Sequence, residues 1–216
     1  MDPARADPTV ERITLADWRR RVADLYAEVR GMAATDPAIA HAHWRAVREE
    51  LFRTHPQSPV AADGRAAFAA RHWPYDPAWR LVAPVRPAPP PEPGALTLEL
   101  PNSGADTLAF ERVGTLELTL PGGPARLSLF WMLGYSGGVF LPFRDATSGR
   151  ETYAAGRYLL DTAKSADLGT QPSGDLILDF NFAYQPSCAF DPRWACPLAP
   201  PENRLEIAVA AGERMA

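Results

Sequence analysis

The sequence has 216 residues, of which 46% are hydrophobic, 10% aromatic and 22% charged, and its formal net charge is −4. This length suits one domain, or one domain with an appendage, and the composition excludes a disordered chain, a collagen, a coiled coil and a disulfide-dense scaffold. The negative charge disfavours nucleic acid as a partner. Residues 1–21 lack a signal peptide's apolar stretch and no run is long enough for a membrane helix, so we expect a cytoplasmic protein with no membrane partner.

The first third of the chain carries helical signals. Asp17 follows Thr14 at the spacing of a capping box, and apolar residues then recur on one helical face. This pattern predicts a first helix from about Leu15 to Arg30.

A second helix is predicted from Pro37 to about Arg53. Asp36 is a suitable cap, Pro37 fits the first helical turn, and apolar residues again follow at helical spacing. A weaker pattern predicts a third helical stretch at 58–68.

The middle of the chain is rich in proline. Residues 83–93 contain six prolines, which favour an extended polyproline segment that acts as a stiff spacer or strap. The sequence therefore divides into a helical segment at 1–82, a proline-rich linker or strap at 83–93, and a β-rich domain at 94–216.

Alternating apolar residues indicate strands after residue 94. The alternation is present at Leu96–Leu100, Leu116–Leu120, Leu127–Leu133 and Leu205–Val209, and turn signals lie between these segments. The connections are too short for crossover helices, so the strands are predicted to be antiparallel. The expected fold is α+β and mainly β, with N-terminal helices packed on an antiparallel β-sandwich or partly open β-barrel of seven to eight strands.

The first of three polar segments is 143–158. A turn at 147–149 predicts a hairpin in which Arg144 and Asp145 end one strand, while the returning strand carries Thr152, Tyr153 and Arg157. Such a hairpin either contributes to a site or is a surface element with cross-strand ion pairs.

The second polar segment, Leu176–Tyr184, has the alternation of a single strand. Asp179 and Asn181 then share one face at about 7 Å. Facing a cleft, they could hold a hydroxyl, an ammonium or a metal; facing solvent, they are ordinary outward polar residues.

The third polar segment is the long loop Pro186–Arg204, which contains Cys188 and Cys196. These two residues could form a disulfide, remain buried thiols, ligate a metal or provide a reactive thiol. The last two alternatives are disfavoured because all the histidines lie in the helical part of the chain, at His41, His43, His55 and His72.

The same C-terminal segments resemble a bacterial family catalogued as domain of unknown function family 1684. The similarity lies in Phe143-Arg144-Asp145, Gly156-Arg157-Tyr158, Leu178 to Asn181, Cys196-Pro197-Leu198 and Pro200 to Leu205. Gln185 departs from the family pattern, in which asparagine is usual. The resemblance implies an intracellular or envelope-associated β-rich protein and no particular activity.

Three functions fit these residues. The first is binding of a small polar molecule at one end of the barrel near the cysteine loop. The second is a carboxylate-based hydrolase or isomerase that uses Asp179 and Glu202, oriented by Arg157 and Arg204. The third is a structural or protein-interaction module in which arginines hold the loop.

No metal or cofactor is predicted, and the oligomeric state is left open. The candidate site residues are Arg144, Asp145, Tyr153, Arg157, Asp179, Asn181, Tyr184, Cys188, Cys196, Glu202, Asn203 and Arg204.

Overall fold

A helical hairpin opens the fold. The computed structural model describes residues 7–89, 98–99, 108–135 and 137–215. The first helix, α1, spans Pro8–Ala33 and so begins before the predicted start at Leu15. Its cap is Asp7, whose carboxylate accepts the Thr9 N–H at 2.7 Å, and proline at the first helical position stabilises this earlier start.

The second helix, α2, spans Pro37–Thr54 and confirms the prediction. Its cap Asp36 accepts two backbone N–H groups, and the helix ends one residue beyond the expected position. In the described part of the chain, neither helix combines the length and apolarity that crossing a membrane would require.

The predicted third helix at 58–68 is wrong except for one 3-10 turn, Arg65–Ala67. Ser58 does not act as a helix cap. Its hydroxyl donates to the Phe52 carbonyl and accepts the Val60 N–H, so it forms a local turn after α2.

The described residues form ten strands, four of which are only two residues long. They are β1 Arg71–His72, β2 Arg80–Ala83, β3 Arg86–Pro87, β4 Leu98–Glu99, β5 Ala109–Leu120, β6 Gly123–Met132, β7 Gly138–Phe143, β8 Arg157–Asp161, β9 Leu176–Asp179 and β10 Glu213–Arg214. One sheet has the order β3-β5-β6-β7-β8, with β4 also paired to β5, and two small sheets pair β1 with β10 and β2 with β9. All these pairings are antiparallel, which confirms the predicted mainly-β α+β fold with N-terminal helices.

The leucine alternation correctly predicts strands in the segments that form β5 and β6. Leu116–Leu120 lies in β5, and the segment that begins at Leu127 lies in β6 up to Met132. In the segment 96–100, Leu98 and Glu99 form β4, whereas Leu96 and Leu100 lie outside the described residues.

The predicted strand at Leu205–Val209 is wrong. Leu205 and Val209 are buried, but the segment makes scattered bonds to the loop after β7 and to Arg157, including Leu205 N–H to the Arg144 carbonyl at 2.7 Å. Alternation predicts which side chains are buried, whereas a strand also needs a neighbouring strand edge with matching N–H and C=O groups.

The proline-rich segment is partly a sheet edge. Within 83–89, β3 pairs with Gly114 and Thr115 of β5, a position that tolerates proline because an edge strand can leave N–H positions unused. Residues 90–93 lie outside the described residues. The division at 82/83 and 93/94 stays a prediction, although β1, β2 and β3 all pair with strands from the later part of the chain.

Two main apolar clusters hold the layers together. The larger cluster lies between the long sheet and the β2-β9 pair, and the C-terminal segment 205–211 also contributes to it. The second cluster joins α1 and α2 to the segment 166–168 and to Phe182. The helices therefore pack on the β-layers as predicted.

Gly212 offers a test of how tightly the C-terminal segment packs. Its φ is +81°, and an added Cβ would lie 2.5 Å from the Ala183 carbonyl oxygen. Gly174 has a similar φ of +89° with nothing within 4 Å of an added Cβ. We expect Gly212→Ala to lower the free energy of unfolding by about 3 kcal/mol or more, and Gly174→Ala by about 1 kcal/mol, in urea denaturation. Equal losses of unfolding free energy in the two variants would contradict the close approach of Gly212 to the Ala183 carbonyl oxygen.

Candidate functional site

The segment 144–156 is a compact loop between β7 and β8. Arg144 and Asp145 follow one strand and Arg157 begins the next, as predicted, but Thr152 and Tyr153 lie in the loop and not on the returning strand. The predicted hairpin is confirmed in that β7 and β8 pair antiparallel, with Phe143 opposite Arg157, but its connection is longer than the predicted turn at 147–149. The Asp145 carboxylate accepts both the N–H and the hydroxyl of Thr147, at 3.0 and 2.6 Å, and this Asx turn keeps Thr152 and Tyr153 in the loop.

Arg157 and Asp145 form a fully buried ion pair with an N···O distance of 2.9 Å. Arg157 also donates to the carbonyls of Val209, Ala211 and Glu213, while Asp145 accepts the Val209 N–H at 2.9 Å. Burial lowers the pKa of Arg157, and the Asp145 carboxylate opposes that shift. These hydrogen bonds attach the C-terminal segment 209–213 to β8 and to the loop after β7.

Asp179 and Asn181 lie where β9 ends. The predicted single strand 176–184 is wrong beyond Asp179, because residues 180–182 form a 3-10 turn capped by the Asp179 carboxylate. Asn181 donates to Asp179 Oδ1 at 2.7 Å, and the other carboxylate oxygen accepts from Tyr75 at 3.2 Å and Arg80 at 3.3 Å. Burial raises the pKa of Asp179. The two residues are therefore neighbours, as predicted, but they bond to each other and to the segment 75–80.

Asn203 is a buried link to the long sheet. It donates to the carbonyls of Ser128 and Pro142 and accepts the Ser128 N–H at 2.7 Å. The sequence analysis placed Asn203 at a ligand site, whereas the structure uses all of these polar atoms to fasten the loop.

Glu202 and Arg204 point to solvent. Their side chains are 40% and 60% exposed, and they pair with Arg112 at 3.9 Å and Glu206 at 3.5 Å. Glu202 pairs with Arg112 of β5, whereas the buried Asp179 at the end of β9 is bonded to Tyr75 and Arg80. The structure does not bring the proposed acid and base together, and Arg204 does not hold the loop.

The cysteine loop contains two buried thiols. The Cys188 N–H donates to Cys196 Sγ at 3.3 Å, and the Tyr153 hydroxyl also contacts Cys188. Of the four alternatives raised by the sequence, the structure shows buried thiols. The hydrogen bond with Cys188 raises the pKa of Cys196, and burial raises it further. Within the described ranges, no group of three or more histidine, cysteine and carboxylate side chains could hold a metal ion.

Gln185 connects the cysteine loop to the chain end. Its side chain accepts the Tyr153 N–H at 3.1 Å and donates to the Arg214 carbonyl at 3.1 Å. The glutamine that departs from the family pattern therefore bridges two backbone groups.

A cavity of about 230 Å³ lies between α1, α2 and the cysteine loop, and we call it the helix-loop pocket. Two of the predicted site residues, Tyr184 and Cys196, line it. Among the described residues, its lining includes no carboxylate and three cationic side chains, Arg19, Arg48 and Lys164. Its aromatic lining residues are Trp18, Tyr26, Trp44, Phe52, Tyr158, Tyr184 and Trp194.

Arg48 forms part of the pocket wall. It makes two hydrogen bonds to the buried Glu213 carboxylate, at 3.0 and 2.9 Å, and its guanidinium lies 4.3 Å from the Phe52 ring centroid and 5.5 Å from that of Tyr184. The sequence analysis missed this residue. Its signal was a charged residue on the apolar face of α2, four residues after Trp44.

The comparisons with known proteins identify the family. A family model described as "Protein of unknown function (DUF1684)" matches residues 68–214. The chain belongs to this family. An uncharacterised protein from Haloarcula marismortui, solved by solution NMR, is 35% identical to this chain with a TM-score of 0.57, and the match covers 79% of this chain and 90% of that chain. No curated protein matches. The resemblance found in the sequence is confirmed, and the DUF1684 match begins after α1 and α2, which form one side of the pocket.

Removal of the buried guanidinium tests its anchoring role. We expect Arg157→Met to lower the free energy of unfolding by about 3 to 5 kcal/mol, because Asp145 would remain buried without its partner. Arg204→Ala is the matched control and should change stability by less than about 0.5 kcal/mol, because its ion pair is exposed. Chemical denaturation measures both. Similar losses for the two variants would contradict the assignment.

The raised pKa of Cys196 predicts slow alkylation. At pH 8 the buried thiol should stay protonated, so iodoacetamide should modify it at least about tenfold more slowly in the folded protein than in guanidinium chloride. Peptide mass spectrometry over a time course follows each cysteine separately. Rapid modification of Cys196 in the folded protein would contradict this prediction.

Proposed function

We propose that this protein binds a small, largely apolar molecule in the helix-loop pocket. The supporting observation is a cavity lined by seven aromatic side chains with a few polar groups among them, the usual composition of a ligand site. The sequence analysis expected a small polar ligand near the cysteine loop. The pocket adjoins that loop through Tyr184 and Cys196, but its walls favour a molecule with an apolar body.

The size of the pocket limits the ligand. A volume of about 230 Å³ accommodates an apolar body of about eight non-hydrogen atoms at ~30 Å³ each, and a polar end group can extend out of the cavity. A gain of about 0.5 kcal/mol for each such atom, which is below the ceiling of about 1.5 kcal/mol for the best small ligands, corresponds to a dissociation constant of about 1 mM.

The alternative functions receive less support. A hydrolase that uses Asp179 and Glu202 would need both carboxylates at one substrate, but Asp179 is buried and bonded to Arg80, whereas Glu202 is exposed and pairs with Arg112. The structural function suits Arg157 and Asn203, and it is compatible with binding because their partners Asp145 and Pro142 do not line the pocket. The proposed setting is the cytoplasm, which keeps thiols such as Cys188 reduced.

Filling the pocket tests the proposal. Val22 lines the cavity, whereas Ala27 lies on the exposed face of the same helix. We expect the native protein to bind 2-phenylethanol at one site, Val22→Trp to weaken that binding at least about tenfold by occupying the cavity, and Ala27→Trp to leave it unchanged. Titration followed by protein NMR shifts measures affinity and location together.

Two results would contradict the proposed function. One is the absence of saturable binding of 2-phenylethanol or a related apolar probe to the native protein. The other is equal affinity for the probe in Val22→Trp and Ala27→Trp, provided that circular dichroism shows both variants to be folded. In that case the probe would bind outside the cavity, where the added indole has no effect on its affinity.

A further inference from the structure

We propose that the molecule bound in the helix-loop pocket is a small apolar monocarboxylate whose charged end lies at Arg19. This inference rests on the proposed function and specifies its ligand class. The relevant geometry is an aromatic interior with a positively charged opening.

The charges around the pocket are all positive, but they are not equally available. Arg48 is neutralised by two hydrogen bonds to Glu213, and Lys164 pairs with Asp161 at 2.7 Å. Arg19 is exposed, and within the described part of the chain no carboxylate forms an ion pair with it. The site therefore presents one uncompensated positive charge to a ligand.

The acid closest to Arg19 along α1 is directed elsewhere. Asp17 pairs with Arg20 at 3.1 Å and Arg21 at 2.8 Å. Arg19 instead lies close enough to Lys164 for the two positive charges to repel each other. An anion at this position would relieve that repulsion, and a guanidinium is well suited to a carboxylate because it can donate two parallel hydrogen bonds.

The position of these two cations places the charge at the opening. Arg19 and Lys164 line the pocket while being exposed, with the Lys164 side chain 60% accessible to solvent. Deeper in the pocket, Tyr26 and Trp44 are buried and contribute ring surface. A ligand oriented in this way leaves its carboxylate partly hydrated and buries its hydrocarbon portion.

The interior also limits the ligand to one charge. A second anionic group at the far end would lie among aromatic rings with Arg48 already occupied by Glu213, and burial of an unpaired charge is strongly unfavourable. Dicarboxylates and sugar phosphates are therefore excluded by the same features that favour an aromatic or short aliphatic monocarboxylate.

The test compares acids with their neutral analogues at pH 7. Phenylacetate is paired with 2-phenylethanol, and octanoate with octan-1-ol, in titrations of the full chain. We expect the carboxylate to bind at least about tenfold more tightly than the alcohol in at least one pair. Arg19→Met should abolish this preference, which is measured as the ratio of the acid's affinity to the alcohol's affinity in the same variant.

Arg20→Met is the matched control, because it removes the same charge from the next residue, which pairs with Asp17 and does not line the pocket. It should keep the preference for the acid. Equal affinity for acid and alcohol in both pairs, or equal loss of preference in Arg19→Met and Arg20→Met, would overturn the monocarboxylate assignment while the proposed function stands. Failure of all four probes to bind in the pocket would overturn both.

Discussion

The rest of the fold depends on one buried guanidinium. The chain after Asn203 runs across the protein without forming a long strand, so its carbonyl groups lack the partners that a sheet would supply. Arg157, on β8, donates to three of those carbonyls and to Asp145. A single side chain with several donors in fixed directions thereby replaces a row of ladder hydrogen bonds.

This anchoring explains why a pocket exists. Once the C-terminal segment is held, Glu213 lies buried beside α2, where it accepts from Arg48 and from the Gln185 N–H at 2.8 Å. One carboxylate thus attaches the helical hairpin and the start of the cysteine loop to the same point. The aromatic side chains between the helical hairpin and the cysteine loop do not fill the space completely, and the remaining space is the helix-loop pocket. The same contacts therefore stabilise the fold and position the walls of the candidate binding site.

Local chemistry could be predicted where neighbours in sequence are also neighbours in space. The helix capped by Asp36, the alternation in β5 and the family resemblance were all accessible in this way. The alternation at Leu205–Val209 predicted burial but not the irregular backbone, because strand formation needs a partner edge. The break in β9 depends on Asp179, whose carboxylate competes for backbone N–H groups, and alternation carries no sign of that competition.

The sequence by itself determined the helical and β-rich parts, the segments that contain the polar residues, and membership of an uncharacterised family. Only the tertiary structure decided which charges are neutralised. Arg48 pairs with Glu213, which is 165 residues away in sequence. Arg157 pairs with Asp145 and not with Asp179. The pocket likewise combines α1, α2, β8 and the cysteine loop. Ion pairs and cavities arise from contacts between distant segments, and these contacts follow from packing that no local pattern encodes.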